Sequence, residues 1–227
     1  TSIDVGIYLT TGNSGQSPFY GPQQMQSGFL NTGKFDFKVK DNAGVTTISG
    51  GALTSYSLAG QVGGLVKGAA SYEGDGAIFT SDGALTEADG STDAFGGFFQ
   101  PEHIQITTET NGDEGVGTSD LNIQDFSLSV SIGRKAVTRL GERVPRFRFP
   151  ETPSNGTLTF NVIKNQVTGL NISSLVCESG VIKIDLKDDA GASVMDFSAS
   201  GCCLESVDEN PSLDDNPTVS FSYYFPI

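Results

Sequence analysis

The single histidine is the first residue to consider for chemistry. His103 follows Pro101 and Glu102 at the start of a predicted strand, with no cysteine or second histidine close by in the sequence. Zinc sites take several His, Cys or carboxylate ligands, and catalytic nucleophiles stand in recognisable turn contexts. Neither setting surrounds this residue. The sequence therefore favours a structural histidine.

Two other segments look superficially like ligand-binding loops. Residues 60–68 read GQVGGLVKG and lack the G-x-x-x-x-G-K-[ST] spacing of a phosphate loop. Asp82, Asp89, Ser91 and Asp93 do not follow the ligand order of an EF-hand. Nothing in the spacing singles out the paired carboxylates of a glycoside hydrolase. We expect no catalytic residue, no cofactor and no bound metal, and the chain is not predicted to be an enzyme.

Charge is unevenly distributed along the chain, which has 27 acidic and 13 basic residues and a net charge of −14. Residues 69–133 contain no Lys or Arg, whereas the next segment is basic. Complementary charged patches fix the register of subunits and steer their association. We therefore predict subunit-interface residues in this basic segment, the alternative being a solvated charged loop: Arg134, Lys135, Arg139, Arg143, Arg146 and Arg148.

Alternating apolar and polar residues define the elements that position these charges. Such period-two patterns indicate strands of an antiparallel sheet with one buried face. Together with 29 glycines they predict an all-β fold, an antiparallel sandwich or barrel with long Gly-rich loops. One short helix is expected, from Ser173 to Glu178. The alternating stretches are 2–9, 34–40, 104–107, 126–133, 157–162, 182–187 and 220–225.

The length of 227 residues fits one β domain spanning 1–227. Within it we expect residues 69–101 to form an acidic, Gly-rich loop insertion that neighbouring subunits hold in place. No run of 18 apolar residues is present, so no membrane span is predicted. The start at Thr1 lacks the features of a secretion signal, which predicts a chain made in the cytoplasm. Cys177, Cys202 and Cys203 are expected to be reduced thiols.

The segment from Gln124 to Pro150, followed by a strand at 156–162, resembles the tail tube proteins of long-tailed bacteriophages. In that family a Ser-alternating strand ending in Arg leads to a Leu-Gly turn, an aromatic-Pro segment and a second long strand. Here these features are QDFSLSVSIGRK, Leu140 with Gly141, and the FRFP stretch. The short helix, the IKIDL strand, the Gly-Cys stretch and the last aromatic strand follow in the same order. The resemblance covers roughly residues 103–227.

The resemblance implies a β-sandwich whose subunits close into rings, typically hexameric, that stack into a hollow tube. The tube would conduct DNA to the host without binding it tightly. The implied partners are other copies of the chain and other tail proteins, with no membrane. The implied location is the virion tail, assembled in the host cytoplasm.

A tube of this kind predicts a lumen lined by hydroxyls and carboxylates, because these groups do not retain DNA phosphates. Strands in which polar residues alternate with buried ones supply the hydroxyl candidates, and nearby carboxylates add charge. The predicted lumen-facing residues are Ser127, Ser129, Ser131, Thr157, Thr159, Glu109 and Asp125.

Two alternative functions stay open. A capsid decoration or neck protein of a phage would share the β fold and the acidity but assemble on a shell. A β-sandwich adhesin or carbohydrate-binding module would need export, and sugar sites commonly use aromatic platforms. The chain contains no tryptophan.

Overall fold

Strands make up the regular structure of a computed structural model that describes residues 2–8, 35–40, 44–80, 104–110, 113–117, 123–163, 180–187, 190–210 and 217–227. No helix occurs in these ranges. The strands are β1 (Ser2–Tyr8), β2 (Phe35–Lys40), β3 (Val45–Gln61), β4 (Lys67–Glu73), β5 (Gly76–Thr80), β6 (Ile104–Thr110), β7 (Asp113–Gly117), β8 (Ile123–Ser131), β9 (Arg134–Val137), β10 (Phe147–Pro150), β11 (Asn155–Ile163), β12 (Gly180–Lys187), β13 (Ser193–Asn210) and β14 (Thr218–Pro226).

One antiparallel sheet contains 12 of these strands. Its order is β1-β4-β3-β8-β11-β14-β13-β12-β6-β7, and β2 and β5 flank the first part of β3. The remaining two strands, β9 and β10, form a separate hairpin. The path runs from β1 to β7 without closing on itself. The all-β prediction is confirmed at this level.

Two long strands join parts of the sheet that have different neighbours. Strand β3 pairs with β2 and β5 in its first half and with β4 and β8 in its second. Gly50 lies at this change with a φ of 68°, a conformation that side chains rarely adopt. Strand β13 changes its partner from β12 to β14 next to Gly201, whose φ is 70°. Glycine is therefore needed where each long strand changes partner.

The core lies on one face of the central strands. Phe160 of β11 stacks on Phe221 and Tyr223 of β14, with ring centroids 5.3 and 5.6 Å apart. On the other side of β11, Leu158 pairs with Leu128 of β8, and both are buried. Burying each such aliphatic or aromatic side chain contributes roughly 1.5–3 kcal/mol. The alternation read from the sequence is therefore what forms the core.

All seven alternating stretches contain strands of the structure, which confirms the sequence prediction for them. The prediction of a loop over 69–101 is wrong for its first part, because Lys67–Glu73 and Gly76–Thr80 are strands. Strand β4 buries Gly68, Ala70 and Tyr72 in alternation, a pattern that its small residues conceal in the sequence. Residues 81–103, which include His103 and the acidic calcium-like cluster, lie outside the described ranges, as does the predicted helix.

The cysteines differ from expectation at one position. Cys202 is a free, buried thiol, and burial raises its pKa to about 11. Its neighbour Cys203 is disulfide-bonded, so the prediction of a reduced thiol is wrong there. Cys177 lies outside the described residues. Among those residues, no helix has the length and apolar character needed to cross a membrane.

Gly156 tests the packing of β11 against β14. A Cβ at this buried position would overlap the ring of Phe225, which is itself buried and has no room to move. We expect Gly156→Ala to destabilise the fold by about 1–3 kcal/mol, the usual cost of overpacking a core. The measurement is urea unfolding. The control is Gly76→Ala, because a Cβ at Gly76 meets nothing within 4 Å. Equal losses in both variants would contradict this packing.

Alkaline pH tests the contribution of the buried tyrosine and cysteine side chains to stability. Burial raises the pKa of Tyr72 from 10.0 to about 12 and that of Cys202 from 9.0 to about 11. The unfolded chain releases these protons at their ordinary values, whereas the folded chain retains them. Their contribution to stability is therefore complete below about pH 9 and is lost as pH rises toward 12.

The measurement is the urea midpoint at about pH 8 and about pH 11. We expect Tyr72→Phe to reduce the fall in the urea midpoint between these two pH values. The fall in the urea midpoint of the wild-type chain is the reference. A fall of the same size in the Tyr72 variant would exclude this origin.

Candidate functional site

The first candidate surface is the polar side of strands β8 and β11. The register places Ser127 opposite Thr159 and Ser129 opposite Thr157. Ser131 lies one row further along, opposite Asn155. Four of the five predicted hydroxyl residues are exposed, and Thr159 is half-buried. The structure therefore brings these five residues together on one surface, which we call the hydroxyl face.

Neighbouring strands extend the hydroxyl face on both sides. On β3, Ser55 lies opposite Ser131 and Ser57 opposite Ser129. On β14, Ser222 lies opposite Thr159. The sequence analysis missed the serines of β3, because the glycines and alanines in that strand weaken its alternation. The face is consequently at least four strands wide.

Carboxylates contribute less to this face than expected. Asp125 lies at one end of it, where its Oδ1 accepts a hydrogen bond of 2.7 Å from Asn161 Nδ2. Glu109 lies on β6, which is separated from β8 by β11, β14, β13 and β12. In the order of the sheet, four strands therefore separate Glu109 from the other predicted lumen residues.

The second candidate surface is the hairpin of β9 and β10 with its connecting turn, residues 134–150, which we call the arm. It leaves the sheet between β8 and β11, at the end of the hydroxyl face marked by Ser131. The arm is closed at its base by a hydrogen bond of 2.8 Å from Glu151 N to Gly133 O. Its turn holds Gly141 at a φ of 90°, with Glu142 N donating to Arg139 O over 3.0 Å.

Alternation along β10 places Arg148 toward the body and its two aromatic neighbours toward solvent. Arg148 is buried, whereas its neighbours Phe147 and Phe149 are 48% and 49% exposed. The two rings are in contact, with centroids 5.8 Å apart, and Val137 lies opposite Phe147. Exposed apolar clusters of this kind usually mark interaction sites. The outward side of the arm is therefore an exposed apolar cluster and a candidate interaction surface.

Arg148 fastens the arm to the turn between β4 and β5. Its Nη1 lies 2.8 Å from Glu73 Oε1, and its Nε donates to Asp75 Oδ1 over 3.0 Å. Burial acts to lower the pKa of Arg148, but hydrogen bonds and charge from these carboxylates raise it overall. Arg148 is therefore an internal anchor, and because it is buried it is no longer an interface candidate.

Arg134 is also turned toward the body. Its Nε donates to the carbonyl oxygen of Leu53 over 2.9 Å, and burial lowers its pKa. The other four basic candidates, Lys135, Arg139, Arg143 and Arg146, are exposed. Arg146 also lies over the Phe147 ring at 5.5 Å from its centroid, a cation–π contact. The basic charge available to a partner is therefore concentrated near the tip of the arm.

A pocket of about 310 Å³ lies at the opposite end of the hydroxyl face. It is formed where the turn between β3 and β4 meets the start of β8, and Val62 N donates to Gln124 O over 2.8 Å beside it. We call it the end pocket. Its lining combines apolar and polar groups: Ala59, Gly60, Gln61, Gly64, Leu65, Lys67, Asp125, Phe126 and Ser127.

No protein family model and no curated protein matches this chain. Within the described ranges, no three His, Cys, Asp or Glu residues are grouped in a way that would hold a metal ion.

Arg148→Met tests whether Arg148 anchors the arm. The substitution removes the guanidinium that pairs with Asp75, whose side chain is 5% exposed. Removing one member of a buried ion pair costs about 3–5 kcal/mol, and the greater exposure of Glu73 reduces this to about 2–3 kcal/mol. Hydrogen exchange should accelerate across residues 134–150. Arg143→Met, at an exposed position, is the control, and similar exchange in both variants would contradict the anchor.

Proposed function

We propose that this chain is a virion structural protein whose copies form stacked hexameric rings of a phage tail tube that conducts DNA to the host. In this proposal the sheet folds into a sandwich with one short helix. Copies of the chain and other tail proteins are its partners, and DNA passes without tight binding. The observation that carries the proposal is the arm, because it exposes an apolar face and basic charge on an otherwise acidic protein.

The arm supports self-association through two of its properties. Its outward apolar side, made of Phe147, Phe149 and Val137, gains free energy when it leaves water, at about 25 cal/mol per Å² buried. Its exposed basic residues complement a protein surface that is acidic overall, with a net charge of −14. Another copy of the same chain is thus a suitable partner for both properties.

The hydroxyl face supports a role as the lumen wall. Duplex DNA binds proteins mainly through cations that neutralise its phosphates and release counterions. Serine and threonine hydroxyls offer no such charge, and Asp125 at the end of the face repels phosphate. Lys67 is the basic residue lining the end pocket beside this face. A duplex sliding along such a wall would meet little that retains it.

The disulfide at Cys203 favours a second candidate, an exported adhesin or carbohydrate-binding module. Disulfides persist in oxidising compartments and are rare in the cytosol. Urea unfolding of the purified protein with and without a reductant separates the two candidates. A large loss of stability on reduction would favour the exported protein, and equal stability in both states would favour the virion protein.

Charge reversal at the tip of the arm tests the proposed assembly. We expect the wild-type chain to form rings or tubes visible by negative-stain microscopy. Arg143→Glu combined with Arg146→Glu should leave a folded monomer that does not assemble, because both side chains are exposed and the substitutions remove the complementary charge.

The control for this test is Lys183→Glu combined with Lys187→Glu, which makes the same change in net charge on β12. It should assemble as the wild type does. Tubes of normal length from the arm variant in moderate salt would contradict the proposed role of the arm. A wild-type chain that stays monomeric at every concentration would contradict the proposed function itself.

A further inference from the structure

Exposed large apolar side chains occur at two places among the described residues. Five of them belong to the arm, namely Val137, Leu140, Val144, Phe147 and Phe149, and Leu140 at the turn is fully exposed. The other two, Val62 and Leu65, lie on the turn between β3 and β4, beside the end pocket, and are 58% and 38% exposed. Within the described ranges, these two places account for the large apolar side chains that are exposed.

These two places lie at opposite ends of the same strands. Strand β8 runs from Asp125, which lines the end pocket, to Ser131, after which the arm begins. Strand β3 runs the other way, with Gln61 opposite Asp125 and Ser55 opposite Ser131. The six residue steps from Asp125 to Ser131 cover about 20 Å of strand. The arm and the end pocket therefore occupy the two ends of the hydroxyl face.

We propose that the tip of the arm of one copy inserts into the end pocket of the next copy. This proposal rests on the proposed self-assembly and names the surface that receives the arm. Leu140 of the first copy contacts Leu65 and Val62 of the second. The pocket volume of about 310 Å³ is many times the roughly 30 Å³ share of one water molecule, so an aliphatic side chain has room to enter.

Charge orients the inserted tip. Arg139 and Arg143 flank Leu140 in the turn, and both are exposed. In the end pocket, Asp125 attracts them and Lys67 repels them. The arginines therefore lie on the side of the pocket formed by β8. This arrangement joins an apolar contact, which contributes most of the free energy, to an ion pair that sets the orientation.

A contact between two different surfaces has a consequence for symmetry. A two-fold dimer joins the same patch of two copies, whereas an arm-to-pocket contact is heterologous and leaves one arm and one pocket free. Since these lie at opposite ends of the strands, each added copy extends the assembly along the strand direction. In the proposed assembly this contact repeats without closing, and so joins successive rings of the tube.

Four variants and one control test the contact. Leu140→Glu and Leu65→Glu should each shorten the assemblies seen by microscopy and sedimentation by at least tenfold, because each buries a carboxylate in an apolar contact. Leu140→Glu combined with Leu65→Lys should restore assembly, because the two new charges attract. Val62→Glu gives a second, more exposed substitution on the pocket side. Lys183→Gln, which changes the net charge by the same one unit as Leu140→Glu, is the control and should assemble normally.

A photo-activated cross-linker at position 140 identifies the receiving surface directly. The expected cross-links join it to residues 61–67 of another copy. Cross-links to the exposed acidic residues of β13 instead, or normal assembly by both pocket variants, would overturn the arm-to-pocket contact while leaving self-assembly intact. A wild-type chain that does not assemble would overturn the proposed function and this contact with it.

Discussion

The in-register pairing of β8 with β11 is the constraint on which the other features of the structure depend. It places Phe126 opposite Phe160 and Leu128 opposite Leu158 on the buried side. The intervening residues then lie on the other side and make the hydroxyl face. A slip of one residue would exchange the two sides, exposing the aromatic core and burying the hydroxyls. Packing of the core thus fixes the composition of the candidate lumen surface.

The sequence predicted the strands that alternate regularly and missed those that do not. Strands β8, β11 and β14 alternate large apolar with small polar residues, and this period identifies them without knowledge of their partners. Strand β3 instead contains Gly50, Gly51 and Gly60. Its first half pairs with β2 and β5, and its second half pairs with β4 and β8. A local pattern cannot express such a change of partner. The paired order of the strands likewise depends on contacts between distant segments.

The parts of the candidate site that depend on a short stretch of sequence, either a run of charges or a regular alternation, could be predicted. The five hydroxyl residues fall together because β8 and β11 are both regular. The basic segment was identified as a group, but the separate roles of its members were not. Arg148 meets Asp75 across 73 positions of the sequence, and Arg134 meets Leu53 across 81. Only the folded chain reveals that these two are internal, and that Phe147 and Phe149 are consequently turned outward.

Net charge and local charge act in opposite directions on an assembly of such chains. Copies that each carry −14 repel one another at long range, and salt weakens this repulsion because the Debye length is about 8 Å at 0.15 M. In the proposed contact, the attraction between the arginines of the arm and Asp125 would act at short range, where salt screens it much less once water is excluded. The proposed apolar contact of Leu140 would not depend on charge at all. An arm that presents both kinds of group can therefore join strongly acidic copies at physiological salt, whereas a purely basic arm would lose its attraction as salt removes the repulsion.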